Sequence, residues 1–66
     1  MLETKIRALR QERGMDQSQL AALVGVRRET ISRLEKGLYN PSLKLAMDIA
    51  QVFGRTVEEV FTFREE

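Results

Sequence analysis

The sequence contains no cysteine, no histidine and no tryptophan, and only one proline, one tyrosine and three phenylalanines. Without cysteine there is no disulfide framework, and without cysteine or histidine a zinc site is not expected. A chain of 66 residues is expected to form one domain, 1–66, that buries only about 60% of the surface it exposes when unfolded, so self-association is the remaining natural aid to stability. Catalytic chemistry is poorly provided for. Histidine and cysteine are missing as base and nucleophile, and the four glycines stand apart as helix stops rather than in a phosphate-cradling loop. No carboxylate pair marks a cleft, so neither an enzyme, a cofactor nor a metal is expected. The aromatics are too sparse to interleave with bases as RNA recognition requires. Long apolar runs are absent too. Met1 to Arg10 alternates charged and apolar residues, which is neither a signal peptide nor a membrane span and, with the lack of cysteine, is consistent with a cytoplasmic protein.

A formal net charge of +1 hides a division along the chain. Residues 1–44 carry nine bases and five acids, whereas residues 45–66 carry two bases and five acids. A basic first part and an acidic end suit a polyanionic partner held on one side, although ordinary scatter of surface charge gives the same numbers.

The stretch Asp16 to Gly37, DQSQLAALVGVRRETISRLEKG, reads as two short helices joined at a glycine. Asp16 with Gln19 three residues later forms a capping box, Leu20, Leu23 and Val24 follow at helical spacing, and Gly25 supplies the stop. Val26 turns inward at the corner. The next helix, Arg28 to Lys36, divides into an apolar stripe of Ile31 and Leu34 and an opposite stripe of Arg28, Glu29, Ser32, Arg33 and Lys36. A face so rich in long donors calls for a partner.

The rest of the chain supports this pair. A first helix over Thr4–Arg13 turns Ile6 and Leu9 inward, and Gly14 ends it. Pro41 biases Asn40 away from helical geometry, so residues 38–41 form a turn, after which Ser42 caps a helix over Leu43–Phe53 with Leu43, Ala46, Ile49, Ala50 and Phe53 on one face. Leu45 and Met47 fall off that stripe. Thr56 with Glu59 is a second capping box, opening a short fifth helix that contains Val57, Val60 and Phe61. Phe61 to Arg64 alternates apolar and polar residues and suits one short strand, pairing with Met1 to Glu3.

These residues resemble the phage repressor and Cro family of helix-turn-helix proteins, also called the xenobiotic-response-element family. The likeness rests on LeuArg at 9–10, ArgGly at 13–14, Gln17, LeuAla at 20–21, GlyVal at 25–26, ThrIleSer at 30–32, GluLysGly at 35–37, ProSerLeu at 41–43 and IleAla at 49–50. The chain is similar to the short stand-alone regulators of this family, the cytolysin repressor among them. The resemblance implies an all-α, five-helix lambda-repressor-like domain with a small terminal β pair. It further implies a homodimeric transcriptional regulator, with the repressor role expected, whose helix 28–36 enters the major groove of double-stranded DNA at a pseudopalindromic operator. The helix-turn-helix is then 16–37 and dimerisation falls within 45–64, with Leu45, Met47, Val57, Phe61 and Phe63 either forming the dimer surface or completing a monomer core. The other reading is an antitoxin, or another protein-binding module, that covers an unidentified protein partner and binds DNA secondarily.

On that reading Arg28 and Arg33 read bases, since a guanidinium can bond guanine O6 and N7 together; the alternative is a phosphate contact. Glu29 either accepts from cytosine N4 or pairs with Arg33 four residues on. Ser32 contacts a base or simply lets the helix approach. Gln17, at a helix N-terminus where an anion is favoured, is assigned to phosphate, and so are Lys36, Tyr39, Asn40 and Ser42 by the family's second phosphate clamp. Tyr39 serves equally as a lid on the core, and Thr30 either bonds phosphate or packs. The family's usual serine or threonine cap of the third helix is replaced by Arg27, which cannot accept from helix N–H groups; either the cap is poor or Arg27 meets a phosphate. Glu35, unfavourable in a last helical turn, is paired by the resemblance with Arg10.

Overall fold

In the computed structural model, which describes residues 1–65 and leaves Glu66 of the expected domain outside the description, seven elements follow one another. They are β1 (Leu2–Thr4), α1 (Ile6–Glu12), α2 (Gln17–Val24), α3 (Arg28–Glu35), α4 (Leu43–Phe53), α5 (Val57–Val60) and β2 (Phe61–Phe63). Both capping boxes form. The Gln19 N–H donates to Asp16 Oδ1 at 2.7 Å while the Asp16 N–H donates to Gln19 Oε1 at 2.8 Å, and Thr56 and Glu59 exchange the same two bonds. Each box satisfies two N–H groups that a helix start otherwise leaves bare. Gly25, at φ +70°, closes α2 in the left-handed region, where a side chain would be strained, and lets α3 begin two residues after Val26. Ser42 Oγ accepts from the Leu45 N–H at 3.1 Å and caps α4.

Ile6, Leu20, Ile31, Leu34 and Ile49 have no exposed surface, so α1, α2, α3 and α4 each contribute to one core. The small sheet closes that core from the other end of the chain. β1 and β2 run antiparallel with Leu2 opposite Phe63, Glu3 opposite Thr62 and Thr4 opposite Phe61. Leu2, Thr4, Phe61 and Phe63 therefore share one face. Leu2 and Phe61 are buried, whereas Phe63 overhangs the core and stays 64% exposed.

Several boundaries and placements differ from the sequence expectations. Thr4 pairs with Phe61 in the sheet, so α1 starts at Ile6 rather than Thr4, and it ends at Glu12. β1 spans Leu2–Thr4 instead of Met1–Glu3, and Phe61 leaves α5 to open β2. Lys36 is the residue after α3 rather than its last. Leu43, the first residue of α4, projects past the end of the core and is 74% exposed, and Leu23 points into solvent with Ala21 buried in its place. Leu45, expected off the inward stripe, packs half-buried against the core. Arg13 has a role that its solvated appearance conceals. Its guanidinium donates to the carbonyls of Val52 at 2.8 Å and Phe53 at 2.9 Å and lies over the Phe53 ring, placing a positive charge on the C-terminal carbonyls of α4.

Candidate nucleic-acid interface

The third helix is fixed from behind by apolar burial, which decides what its front presents. Ile31 and Leu34 are fully buried, and rotation by 100° per residue then turns Arg28, Glu29 and Arg33 outward, where all are exposed, with Ser32 and Thr30 half-buried at the margins. α2 packs more extensively on α3 than on any other element, so its position is set chiefly by that helix.

A polar network ties this helix pair to α1. Arg10 Nε donates to Glu35 Oε2 at 2.6 Å and Arg10 Nη2 donates to Glu35 Oε1 at 3.0 Å, with the two side chains only 10% and 7% exposed. Its remaining Nη1 donates to the Met15 carbonyl at 2.9 Å. The hydrogen bonds from Arg10 to Glu35 hold the guanidinium pKa above its ordinary value against the opposing effect of burial. This pair offsets the placement of a carboxylate at the negative end of a helix dipole. Gln17 joins the network rather than standing free: its Nε2 donates to Glu35 Oε1 at 3.1 Å, and its Oε1 accepts from Arg28 Nη1 at 3.4 Å. The first residue of α2 thus connects the buried ion pair to the first residue of α3.

Around this network lie the other sequence-selected residues. Arg27 stands at the start of α3 with extended backbone and no side-chain capping bond, as its chemistry dictates. Glu29 and Arg33 form no ion pair within 4.0 Å among the described residues; Arg33 instead sits over the Tyr39 ring, 6.0 Å from its centroid. Glu29, Thr30, Arg33 and Tyr39 line one open cleft. Asn40 and Ser42 are exposed in the loop beyond, and the Ser42 hydroxyl, though accepting at the helix cap, keeps its proton free to donate. A second cleft is lined by Arg7, Gln11, Gln17, Ser32 and Lys36 above the Arg10–Glu35 pair. Arg7 was not singled out by sequence, because a base on the outer face of a first helix carries no local signal; only the packing of α1 beside α3 brings it there.

The residues expected at a dimer surface separate into two sets. Phe61 is buried in its own chain's core, with Val57 and Leu45 packed partly buried against it, whereas Met47 and Phe63 are exposed. No described helix is long and apolar enough to cross a membrane.

Comparison with known proteins places this geometry in company. Residues 6–60 match a family model described as helix-turn-helix. A protein of Archaeoglobus fulgidus, named as an uncharacterised helix-turn-helix-type transcriptional regulator, is 55% identical over 65 residues, covering 98% of this chain and 93% of that one. The cryptic phage CTXphi transcriptional repressor RstR of Vibrio cholerae is 34% identical over 65 residues, covering 98% of this chain and 59% of its own length. A crystal structure of a candidate DNA-binding protein from Bacteroides fragilis superposes with a TM-score of 0.80 at 22% identity, over 94% of this chain and 100% of that one, and so shares the fold.

Proposed function

Because the chain belongs to the helix-turn-helix family of DNA-binding transcriptional regulators, we propose that it is a sequence-specific repressor acting in the cytoplasm, which binds a pseudopalindromic operator as a homodimer with α3 in the major groove. The observation that carries this reading is the division of α3. Its buried Ile31 and Leu34 hold the helix rigid while Arg28, Glu29 and Arg33 face outward at the spacing that reaches base edges. Arg28 and Arg33 take guanine, Glu29 takes cytosine N4, and Ser32 admits the groove wall. Gln17, Arg27, Thr30, Lys36, Tyr39, Asn40 and Ser42 hold the flanking phosphates and so fix register. The repressor role is supported by the likeness to RstR.

Dimerisation is assigned to the 45–64 segment, with Met47 and Phe63 as the exposed apolar anchors and Leu45, Val57 and Phe61 supporting them from the core. A two-fold dimer of this class sets half-sites about one helical turn, ~34 Å, or a multiple of it apart. Selection of bound sites from random duplex DNA tests the whole reading. An enriched inverted repeat that loses preference at one symmetric position in Arg33→Ala is expected; no enriched motif would overturn the operator assignment, and a uniform loss over all sequences would reduce Arg33 to a phosphate contact.

A further inference from the structure

We propose that Tyr39 is the positioning residue for Arg33, fixing its guanidinium for discrimination at one base pair; this rests on the reading of Arg33 as a base contact. The arrangement is built by the turn that ends α3. Were the helix to continue, residue 39 would lie about one and two-thirds turns beyond Arg33 and on another side of the helix. Instead the Gly37 N–H donates to the Leu34 carbonyl at 2.9 Å and the Leu38 N–H to the Arg33 carbonyl at 3.1 Å, with Gly37 at φ +69°. This reversal carries Tyr39 back over the Arg33 side chain. The ring is itself half-buried and packed against the core, so it is a fixed platform rather than a second mobile chain. Gly37 in turn lies directly against the Leu2 carbonyl, so β1 braces the turn that supports the ring.

Stacking suits a base reader better than the ion pair it replaces. A carboxylate from Glu29 would occupy the in-plane N–H donors of Arg33, the same donors that reach guanine O6 and N7. An aromatic face holds the guanidinium through its π surface and leaves all those donors free. Glu29 and Thr30 line the same cleft, and Glu29 forms no ion pair with the guanidinium among the described residues.

The test compares Tyr39→Leu and Tyr39→Phe, reading the affinity ratio between the preferred base pair and its alternatives at the position that Arg33→Ala relaxes. Because a ratio of affinities is independent of the fraction of protein folded, loss of stability in Tyr39→Leu leaves it readable. The inference expects Tyr39→Leu to reduce discrimination at that position alone, about two- to fivefold, with other positions and the salt dependence unchanged, and Tyr39→Phe to retain it. Loss of discrimination in Tyr39→Phe equal to that in Tyr39→Leu would assign the effect to the hydroxyl rather than to the ring face and overturn the inference. Unaltered discrimination in Tyr39→Leu would leave the ring a core lid and overturn it too. If Arg33→Ala relaxes no position, the base-contact reading itself falls and takes this inference with it; if Arg33→Ala relaxes one and Tyr39→Leu does not, only the inference falls.

Discussion

Gly37 has no room for a side chain, because a Cβ there would collide with the backbone carbonyl of Leu2. It is also at φ +69°, so Gly37→Ala suffers both left-handed strain and displacement of β1. Gly54 is the internal control: at φ +63°, with nothing within 4 Å of a Cβ, it bears the strain alone. Urea unfolding is expected to give a loss of ~1 kcal/mol for Gly54→Ala and ~2–4 kcal/mol for Gly37→Ala. Equal losses would mean that β1 moves aside freely and braces nothing.

The Arg10–Glu35 pair is buried on both sides, and the removal of one partner leaves an uncompensated charge. Glu35→Leu alone is expected to cost about 3–5 kcal/mol, whereas the Arg10→Met, Glu35→Leu double variant recovers much of that loss. A double-mutant cycle followed by circular dichroism measures the coupling. Additive single losses would show that the two side chains are independent.

Arg27 occupies a capping position without making a capping bond. Arg27→Thr supplies an acceptor for the first turn of α3 and is expected to stabilise the protein by about 1 kcal/mol. The same change is expected to weaken DNA binding alike on specific and random duplexes, with the logarithmic salt slope falling by about one. A stabilised variant of unchanged affinity would remove Arg27 from the phosphate contacts.

Arg7 shares a cleft with Gln17, Ser32 and Lys36 beside the face of α3. Arg7→Gln is expected to leave stability within about 0.5 kcal/mol of wild type, as for other exposed substitutions. It should lower affinity uniformly, again with a shallower salt dependence and with base preferences intact. Fluorescence anisotropy titrations at several salt concentrations decide it, and parallel salt plots for the two proteins would exclude the contact.

The backbone N–H of Thr56, and after it the Thr56 hydroxyl, hold the Glu59 carboxyl below its ordinary pKa. A carboxyl with a lowered folded-state pKa favours the folded chain at pH values above its unfolded pKa, and that contribution disappears as the pH falls through the folded value. Wild type should therefore lose stability more steeply than Glu59→Gln on acidification from about pH 5 to 3, while glutamine keeps both bonds of the box without titrating. Unfolding curves of parallel pH dependence would show that the box does not depend on the carboxylate charge.

Local chemistry was the legible part of this chain. Asp16–Gln19, Thr56–Glu59 and Ser42 announced helix starts because a cap is a property of a few adjacent residues, and Ile31 with Leu34 announced the inner face of α3 because helical rotation is regular. The buried partnership of Arg10 and Glu35 came through family likeness; nothing local to either residue predicts the other. What periodicity could not supply was the identity of the neighbour. Leu23 has the spacing of a core residue but nothing packs over it, Leu43 lies past the end of the core, and Arg13 finds the carbonyls of Val52 and Phe53 across nearly forty residues of chain. At the candidate interface the outward side chains of α3 were readable. The seat of Arg33 on Tyr39, the link of Gln17 to Glu35 and the position of Arg7 depend on inter-element distances that a sequence pattern does not encode.

The pairing of β1 with β2 also sets an order of assembly. Its outermost bonds join Met1 to Arg64, positions 63 apart in sequence, while the helices form within short segments and α2 meets α3 across a single turn. Closing so long a loop is entropically expensive and slow compared with local helix contacts. During synthesis, β1 therefore waits for β2 to emerge before it is held, and until then the turn at Gly37 lacks its brace. The outward face of α3 rests on contacts within one stretch of chain, whereas the turn beyond it is closed by the two ends of the chain together, so fraying of either strand would loosen the seat of Tyr39 while leaving α3 in place.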